Sequence, residues 1–526
     1  MKYLFAKYIN INQIINLQFV LSLLFGFLII IFPFIFHPLD WEDYSITFNG
    51  TWLMYKGYAP YSDFGIPTGI GSFIFPYLSF VLFGANYNSL YIMQAIEHGI
   101  LVYSCYLLYG TFIKSVPNKK LAVSITVFIL SLFVIFNVKA QFYNSEFLLF
   151  ELFSFVFVMR AINSKTKNGG IIRSFFAALF VFLTLQVKQD YGVINLLIIL
   201  TVLIIHKFKN KESIQLITYL ISLICLVGLF LLLVDFNRFI YWFNFGQNTG
   251  GNANLWLKLK SCFEKREAIS LLLLIGINAI LFKVLCTKVT IEEKKFYSFP
   301  FIIFCGFGFQ NILTLSSSNF PYLYYAVAFL VSSILLQLFL LLKFNFRALF
   351  LVNLLLIIFL YFNLNQVYKS IYYFHPNGLI GTRELTEKSR FSAMGISRNY
   401  KSNGADFQFC KDIIDSIYRV KKEPLCIANF TSMPFEMEVP TRRIKGLPLW
   451  PDNNVLLFKK EQQLYLNLLE KGEFDLIFIL ELDFKGSQFT NHEFKNKALE
   501  NYRLLTSFLL LKYKGERRLL TMIKKS

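Results

Sequence analysis

Charged residues are scarce in this sequence, and their scarcity is the first limit on the class of protein. Asp, Glu, Lys and Arg make up 16% of the 526 residues, whereas hydrophobic residues make up 56% and aromatic residues 18%. Soluble domains rarely have this balance, because their surfaces carry more charge. Uninterrupted apolar runs of about 18–25 residues recur along the chain and indicate membrane-spanning helices. The runs do not alternate with a period of two, which favours helices over strands.

Acidic residues are the scarcer charge, with 32 Asp and Glu against 52 Lys and Arg, for a net charge of +20. In a soluble chain this excess would suggest nucleic acid, but the sequence has no aromatic and basic module of that kind. Cytoplasmic loops and anionic lipid head groups explain the cations better, so the predicted partner is the lipid bilayer and no nucleic acid. CxxC and HExxH motifs are absent, and the seven cysteines are scattered, which gives no zinc or disulfide framework.

The apolar segments predict a polytopic α-helical membrane protein with about eleven spans. A shorter apolar run at 69–84 contains Pro76 and is expected in or near the membrane interface. The predicted spans lie near 13–36, 89–112, 121–138, 146–162, 174–188, 190–206, 214–234, 267–286, 296–315, 321–342 and 347–364.

Lysines and arginines cluster in alternate loops, and this pattern predicts the orientation. Basic residues precede the first span and follow the second, fourth, sixth, eighth and tenth. The positive-inside rule therefore places the N-terminus in the cytoplasm, and an odd number of spans places the chain after Leu364 outside. Frequent Phe, Lys and Asn suggest an AT-rich bacterial genome, so we expect a multi-pass protein of the bacterial inner (plasma) membrane.

The chain changes character at about residue 365, where polar and charged residues become frequent. Strand-like runs at 425–430 and 474–480 alternate with amphipathic segments at 406–420 and 459–472. This alternation predicts an α/β domain. We therefore expect a transmembrane domain at 1–364 and an extracytoplasmic α/β domain at 365–526.

The first outer loop, "HPLDWEDYSITFNGTWLMYKGYAPYSDFGIPTG" from residue 37, gathers Asp40, Glu42, Asp43 and Asp63 in a basic chain. Solvated loop carboxylates are the simpler interpretation. A catalytic or metal-binding cluster at the membrane surface is the other, and the turn-rich, aromatic "GYAPYSDF" that follows favours it.

Several motifs occur in an order typical of one family. The acidic loop is followed by Gly57, Pro60, Tyr61 and Asp63, then by an apolar stretch that ends in "LFG" at 82–84. Later come "NSEFLLFELF", "QVKQDYG" and "NFPYLYYAVAFL". This arrangement resembles the GT-C superfamily of polyprenyl-phosphate-sugar-dependent glycosyltransferases, and looks most like the branch of protein O-mannosyltransferases and the lipid A aminoarabinose transferase.

The resemblance implies inverting transfer of a sugar from a polyprenyl-phosphate donor to an acceptor in the cell envelope, which is a lipid, a glycan or a protein. In such enzymes a carboxylate accepts the proton of the attacking hydroxyl. The spacing to "GYAPY" favours Asp43 as this base, and Asp40 and Glu42 stay as alternatives. The implied substrate-binding residues are Glu42, Asp63, Glu146, Lys188, Gln189, Tyr324 and Tyr325.

Each of these residues also has a structural interpretation. Lys188 neutralises the leaving phosphate or extends from the membrane boundary to lipid head groups, and Arg238 in the loop 235–266 is another candidate for the phosphate. Glu146 binds the acceptor, or holds a divalent cation with Asp43, or only begins a helix. No metal is assigned, because some members of the superfamily use one and others do not. Glu97 and His98 lie inside the second span and are either functional or a structural pair.

Three other functions stay open. A polysaccharide polymerase or ligase uses the same lipid carriers, and the loop 235–266 is partly basic, as expected for that class. A transporter of lipid-linked glycans would carry paired broken helices or charged residues at the middle of the membrane in both halves, whereas here only Glu97 and His98 interrupt otherwise apolar spans. A non-catalytic envelope scaffold is the third.

Overall fold

The computed structural model describes most of the helical part of the chain and most of its C-terminal region. The described residues are 41–66, 69–85, 87–112, 142–243, 266–288, 291–314, parts of 329–341, 412–430, 439–449, 459–483, 492–511 and 516–525. The spans predicted near 13–36, 121–138 and 347–364, and most of 321–342, lie outside these residues.

The described part of the chain is mostly helical. Its helices are α1 (Trp41–Tyr55), α2 (Ile74–Phe83), α3 (Tyr87–Phe112), α4 (Phe142–Ile162), α5 (Lys167–Val187), α6 (Gln189–Asn210), α7 (Ile214–Leu233), α8 (Phe236–Phe243), α9 (Arg266–Lys288), α10 (Ile291–Thr314), α11 (Lys459–Glu470) and α12 (His492–Asn501). A 3-10 helix covers Ile70–Phe73, and residues 412–421 are also helical.

Four of the described helices are long and apolar enough to cross a membrane. Their spanning segments are Lys167–Val187, Gln189–Asn210, Ile214–Leu233 and Ala268–Thr287. These segments coincide with predicted spans, so a membrane protein with several spans is confirmed at this level. The helical bounds follow the apolar runs because a helix in lipid must satisfy its own backbone groups.

The chain divides into two compact units. The helical unit comprises the described residues within 94–230 and 253–373, and the mixed unit comprises those within 34–93, 231–252 and 374–526.

In the helical unit, α4 packs against α5, α6 and α10. Between α4 and α5 the phenylalanines stack, with ring centroids 5.0 Å apart for Phe153 and Phe180 and 5.1 Å apart for Phe157 and Phe176. Thr166 caps α5 by accepting a hydrogen bond from the Gly169 amide. A single extended residue, Lys188, separates α5 from α6.

In the mixed unit, the acidic segment predicted as a loop contains α1. Helix α1 packs on α2 through an edge-to-face contact between Phe48 and Phe80, whose centroids are 5.1 Å apart. The outward side of α2 is apolar, with Leu78, Val81 and Leu82 exposed. An interfacial position for 69–84 stays a prediction.

The C-terminal part of the mixed unit is a small α/β fold, as the sequence predicts. Its strands are β2 (Ile427–Phe430), β4 (Leu476–Asp483), β5 (Tyr502–Leu511) and β6 (Glu516–Lys524), in the sheet order β2-β4-β6-β5. The β2–β4 pair is parallel, and the β4–β6 and β5–β6 pairs are antiparallel. A second, two-stranded sheet pairs β1 (Phe64–Gly65) with β3 (Leu447–Pro448) in parallel.

Candidate functional site

Helix α1 carries the predicted base. Glu42 and Asp43 lie in its first turn, and the structure describes their backbone. Further along the helix, Gly50 approaches the rest of the unit so closely that a Cβ there would overlap the Phe73 ring and lie 3.0 Å from Leu449. The later turns of α1 are therefore part of a packed core.

Asp63 is the acidic residue whose surroundings the structure shows in most detail. Its side chain is 21% exposed, and one carboxylate oxygen lies 3.6 Å from the Lys445 ammonium. The other accepts a hydrogen bond of 2.8 Å from the Ala59 amide and so closes the turn of "GYAPYSDF". A substrate-binding role for Asp63 stays a prediction.

The basic segment "TRRIKG" at 441–446 was not expected to belong near the acidic residues. It supplies Lys445 to Asp63, and Arg442 and Arg443 line a small pocket together with Asn429 and Thr441. Its charge pattern was visible in the sequence. Its pairing partner was not, because the two segments are far apart along the chain.

The short helix α8 contributes further polar groups to the mixed unit. The Arg238 guanidinium donates a hydrogen bond of 2.5 Å to the Ser62 carbonyl oxygen, and its Nε lies 3.7 Å from the Asp235 carboxylate. The Tyr241 hydroxyl donates a hydrogen bond of 2.5 Å to the Glu461 carboxylate. Burial raises the pKa of Glu461 above its usual range, although the Tyr241 hydroxyl and the nearby Lys460 oppose the shift.

The helical unit contains the other predicted site residues. Glu146 is fully buried near the start of α4, and its neighbour Phe147 lies under the Lys188 ammonium, 5.4 Å from the ring centroid. The same ammonium is 5.3 Å from the Tyr191 ring centroid. Lys188 is thus brought to the segment of α4 that carries Glu146, and Gln189 begins α6 directly beside it. Cation–π contacts of this kind attract a lysine ammonium to aromatic faces and so restrict its position.

Glu151 was missed by the sequence reasoning, although it is an ionisable residue inside the run 146–162. It is completely buried on α4, with the Gln310 side chain of α10 nearby. The Gln310 amide donates a hydrogen bond of 3.2 Å to the Tyr191 carbonyl oxygen. The signal that was overlooked is a carboxylate within an apolar helix, which is a functional candidate by default.

A chain of buried polar groups extends from the backbone carbonyl of Glu151 into α5 and α6. The Ser154 hydroxyl lies 2.6 Å from the Glu151 carbonyl oxygen and 3.1 Å from Asn195 Oδ1. Asn195 in turn donates a hydrogen bond of 3.4 Å to the Thr184 hydroxyl. Buried polar groups are retained where they are hydrogen-bonded, so this chain fixes how α4, α5 and α6 pack.

Two predicted residues, Tyr324 and Tyr325, lie outside the described residues. Among the residues that are described, no group of three or more His, Cys, Asp or Glu side chains is arranged to hold a metal ion. The side chain of Asp43 is not among those described, so a cation shared with Glu146 stays an untested idea.

The chain matches no protein-family model and no curated protein. The similarity to GT-C glycosyltransferases therefore rests on the residues and their order in this sequence.

Proposed function

We propose that this protein is an integral-membrane glycosyltransferase of the GT-C type, with about eleven spans and an extracytoplasmic C-terminal domain. It transfers a sugar from a polyprenyl-phosphate donor to an envelope acceptor on the outer face of a bacterial plasma membrane. Asp43 is the general base that accepts the proton of the attacking hydroxyl. The observation that carries the proposal is that Asp43 lies on a helix whose later turns are packed, and that this helix belongs to the same unit as the C-terminal α/β domain.

That observation favours the catalytic interpretation over solvated loop carboxylates. A catalytic carboxylate must be held in position, because small displacements of a reacting group cost large factors in rate. Helix α1 has such support from Phe48 against Phe80 and from Gly50 against Phe73 and Leu449.

Lys188 is the proposed partner of the leaving phosphate. A polyprenyl phosphate is already acidic, so its departure needs neutralising charge more than a proton donor. The aromatic faces of Phe147 and Tyr191 hold the Lys188 ammonium beside the buried Glu146 segment. Arg238 is the alternative choice, and its guanidinium contacts the Ser62 carbonyl and the Asp235 carboxylate.

The test compares wild-type protein with Asp43→Asn in membrane vesicles, at matched expression, using a panel of polyprenyl-phosphate sugars as donors. We expect transfer from at least one donor and a loss of about 100-fold or more in the variant, as for removal of a general base. Glu423→Gln is the matched control, because Glu423 is an exposed carboxylate in the C-terminal domain. Transfer unaffected by Asp43→Asn would reject Asp43 as the base.

A transporter of lipid-linked glycans is the second candidate. The observation in its favour is that Glu97, Glu146 and Glu151 are all fully buried in helices of the structure. Intramembrane carboxylates mark ion and proton pathways in transporters. Movement of a fluorescent lipid-linked sugar across vesicles, without transfer to any acceptor and with loss in Glu151→Gln, would favour this candidate over the transferase.

A further inference from the structure

We propose that the C-terminal α/β domain sets the position of the acidic segment, and that Arg238 of α8 is the positioning residue that joins them. The C-terminal domain and the acidic segment both belong to the mixed unit. Three kinds of contact carry it: backbone pairing, the contacts of α8 and the packing of α1.

The backbone pairing is direct. Strand β1 follows the turn of Asp63 and runs parallel to β3, with Phe64 opposite Leu447. The amide of Gly446 donates a hydrogen bond of 2.9 Å to the Asp63 carbonyl, and the amide of Leu449 donates one of 2.8 Å to the Gly65 carbonyl. Two residues on each strand are too few to hold a sheet by themselves, so other contacts must stabilise the pair.

Helix α8 supplies those contacts from a single face. Phe239 packs edge to face on Tyr61, with centroids 5.4 Å apart, and both rings are buried. Trp242, one turn later, is 3% exposed and packs so tightly on Gly65 that a Cβ there would overlap the indole. Phe236 and Ile240, on the adjoining side of α8, are exposed.

Arg238 contacts both partners of the backbone pairing. Its guanidinium donates to the Ser62 carbonyl, one residue before Asp63. It also lies against Gly446, where a Cβ would be 3.0 Å from the nearer guanidinium nitrogen. Gly446 has a φ of +79°, which favours glycine, and any side chain there would also meet Arg238.

Lys445 is the natural comparison, because it also joins the two segments. Its ion pair with Asp63 spans 3.6 Å, and the lysine side chain is 83% exposed. Exposed ion pairs contribute little to stability. The Arg238 side chain is less exposed, at 44%, and it combines a charged hydrogen bond to the Ser62 carbonyl with packing against Gly446. We therefore expect Arg238 to stabilise the pairing of β1 with β3, and Lys445 to contribute little to it.

Helix α1 connects the position of the turn at 57–66 to that of Asp43, the predicted base. Leu449, whose amide bonds to Gly65, also packs against Gly50 of α1. Asp43 lies two helical turns before Gly50 on the same rigid helix. A displaced turn at 57–66 would therefore displace the first turn of α1.

The experiment measures amide hydrogen exchange in full-length protein in nanodiscs. Arg238→Ala should speed exchange of the Gly446 and Leu449 amides by about 10-fold or more, because these amides lose protection when the pair opens. Lys445→Ala should change it by less than about twofold. Arg238→Lys keeps a hydrogen-bond donor at this position and should retain part of the protection. It therefore controls for general misfolding of the alanine variant. Unchanged exchange in Arg238→Ala, or an equal effect of Lys445→Ala, would overturn the proposal.

A kinetic measurement on the same variants separates positioning from general loss of structure, and this arm rests on the proposed transferase activity. A displaced base lowers kcat by about 10- to 100-fold, while KM for the donor stays within about twofold. A normal kcat in Arg238→Ala, with the pair open, would refute the link to the base. If the wild type shows no transfer but exchange responds as expected, the proposed function fails and the positioning of the segment stands.

Discussion

Glu461 is 6% exposed, and its carboxyl group accepts a hydrogen bond from the Tyr241 hydroxyl, close to its own backbone amide and to the charge of Lys460. Burial makes its ionised form costly, so its pKa in the folded protein lies above the ordinary value of 4.5. The folded state therefore holds this proton at pH values where the unfolded chain has lost it. Its stability contribution then falls as the pH rises from the ordinary pKa through the raised one.

We predict that thermal stability of the mixed unit decreases across this pH window and that Glu461→Gln removes much of the decrease. Glutamine has the size of glutamate and no proton to lose, so it keeps the packing without the titration. Unfolding temperatures in detergent, measured from pH 4 to pH 8, check the prediction.

Tyr241→Phe is the informative comparison, because the Tyr241 hydroxyl holds the pKa of Glu461 down. The phenylalanine variant should extend the decrease to higher pH. A pH profile in Glu461→Gln that follows that of the wild type would contradict the assignment to Glu461.

At the scale of elements, the junction between α5 and α6 depends on one close approach. The Gly192 amide donates a hydrogen bond of 2.8 Å to the Lys188 carbonyl, and a Cβ on Gly192 would lie 2.5 Å from the Leu185 Cα. That contact is with backbone, so no side-chain rotation can relieve it. The glycine thus lets the two helices turn around Lys188.

Gly192→Ala should destabilise the helical unit by about 2–3 kcal/mol through overpacking, and should weaken any activity that needs Lys188. Gly228→Ala on α7 is the matched control, because no atom lies within 4 Å of a Cβ there. Thermal unfolding in detergent is the measurement. Equal stability of the two alanine variants would show that the junction tolerates a side chain.

The elements also show how far the sequence could predict the fold. Long apolar runs predicted α3 to α7, α9 and α10, because a membrane helix carries its signal within one segment. Helix α1 was expected as loop, since its residues are acidic and polar and its apolar contacts, such as Phe48 to Phe80, come from tertiary packing. Strands β5 and β6 were not predicted, although they pair with each other across a short connection. The β4–β6 pair, which attaches them to the sheet, joins residues more distant in the sequence.

For the site, the sequence could propose residues but not their partners. Lys188 and Glu146 were candidates in separate motifs, and only the packing of α4 against α5 and α6 brings Lys188 over Phe147. The pairs of Asp63 with Lys445 and of Arg238 with Ser62 join remote segments, and a single sequence contains no signal for such contacts.

At the scale of the whole molecule, the division into two units predicts that one unit can lose stability while the other keeps it. A chain truncated after residue 411 loses β3, the partner of β1, and Leu449, a neighbour of Gly50. We expect residues 41–66 to exchange amide hydrogens about 10-fold faster or more in the truncated chain, while α4 to α6 keep their wild-type protection. Hydrogen exchange in nanodiscs checks both parts. Loss of protection in α4 to α6 would show that the helical unit also needs the C-terminal residues.

The pairing of β1 with β3 has a consequence for biosynthesis. Phe64 is synthesised early, and its partner Leu447 follows only after nearly all of the helices have been made. At about 5–20 residues per second, the ribosome takes roughly 20–80 s to cover that distance. During this interval β1 has been synthesised, while its partner strand does not yet exist. The acidic segment can therefore reach its final packing only late in synthesis, once β3 is on the same side of the membrane as β1.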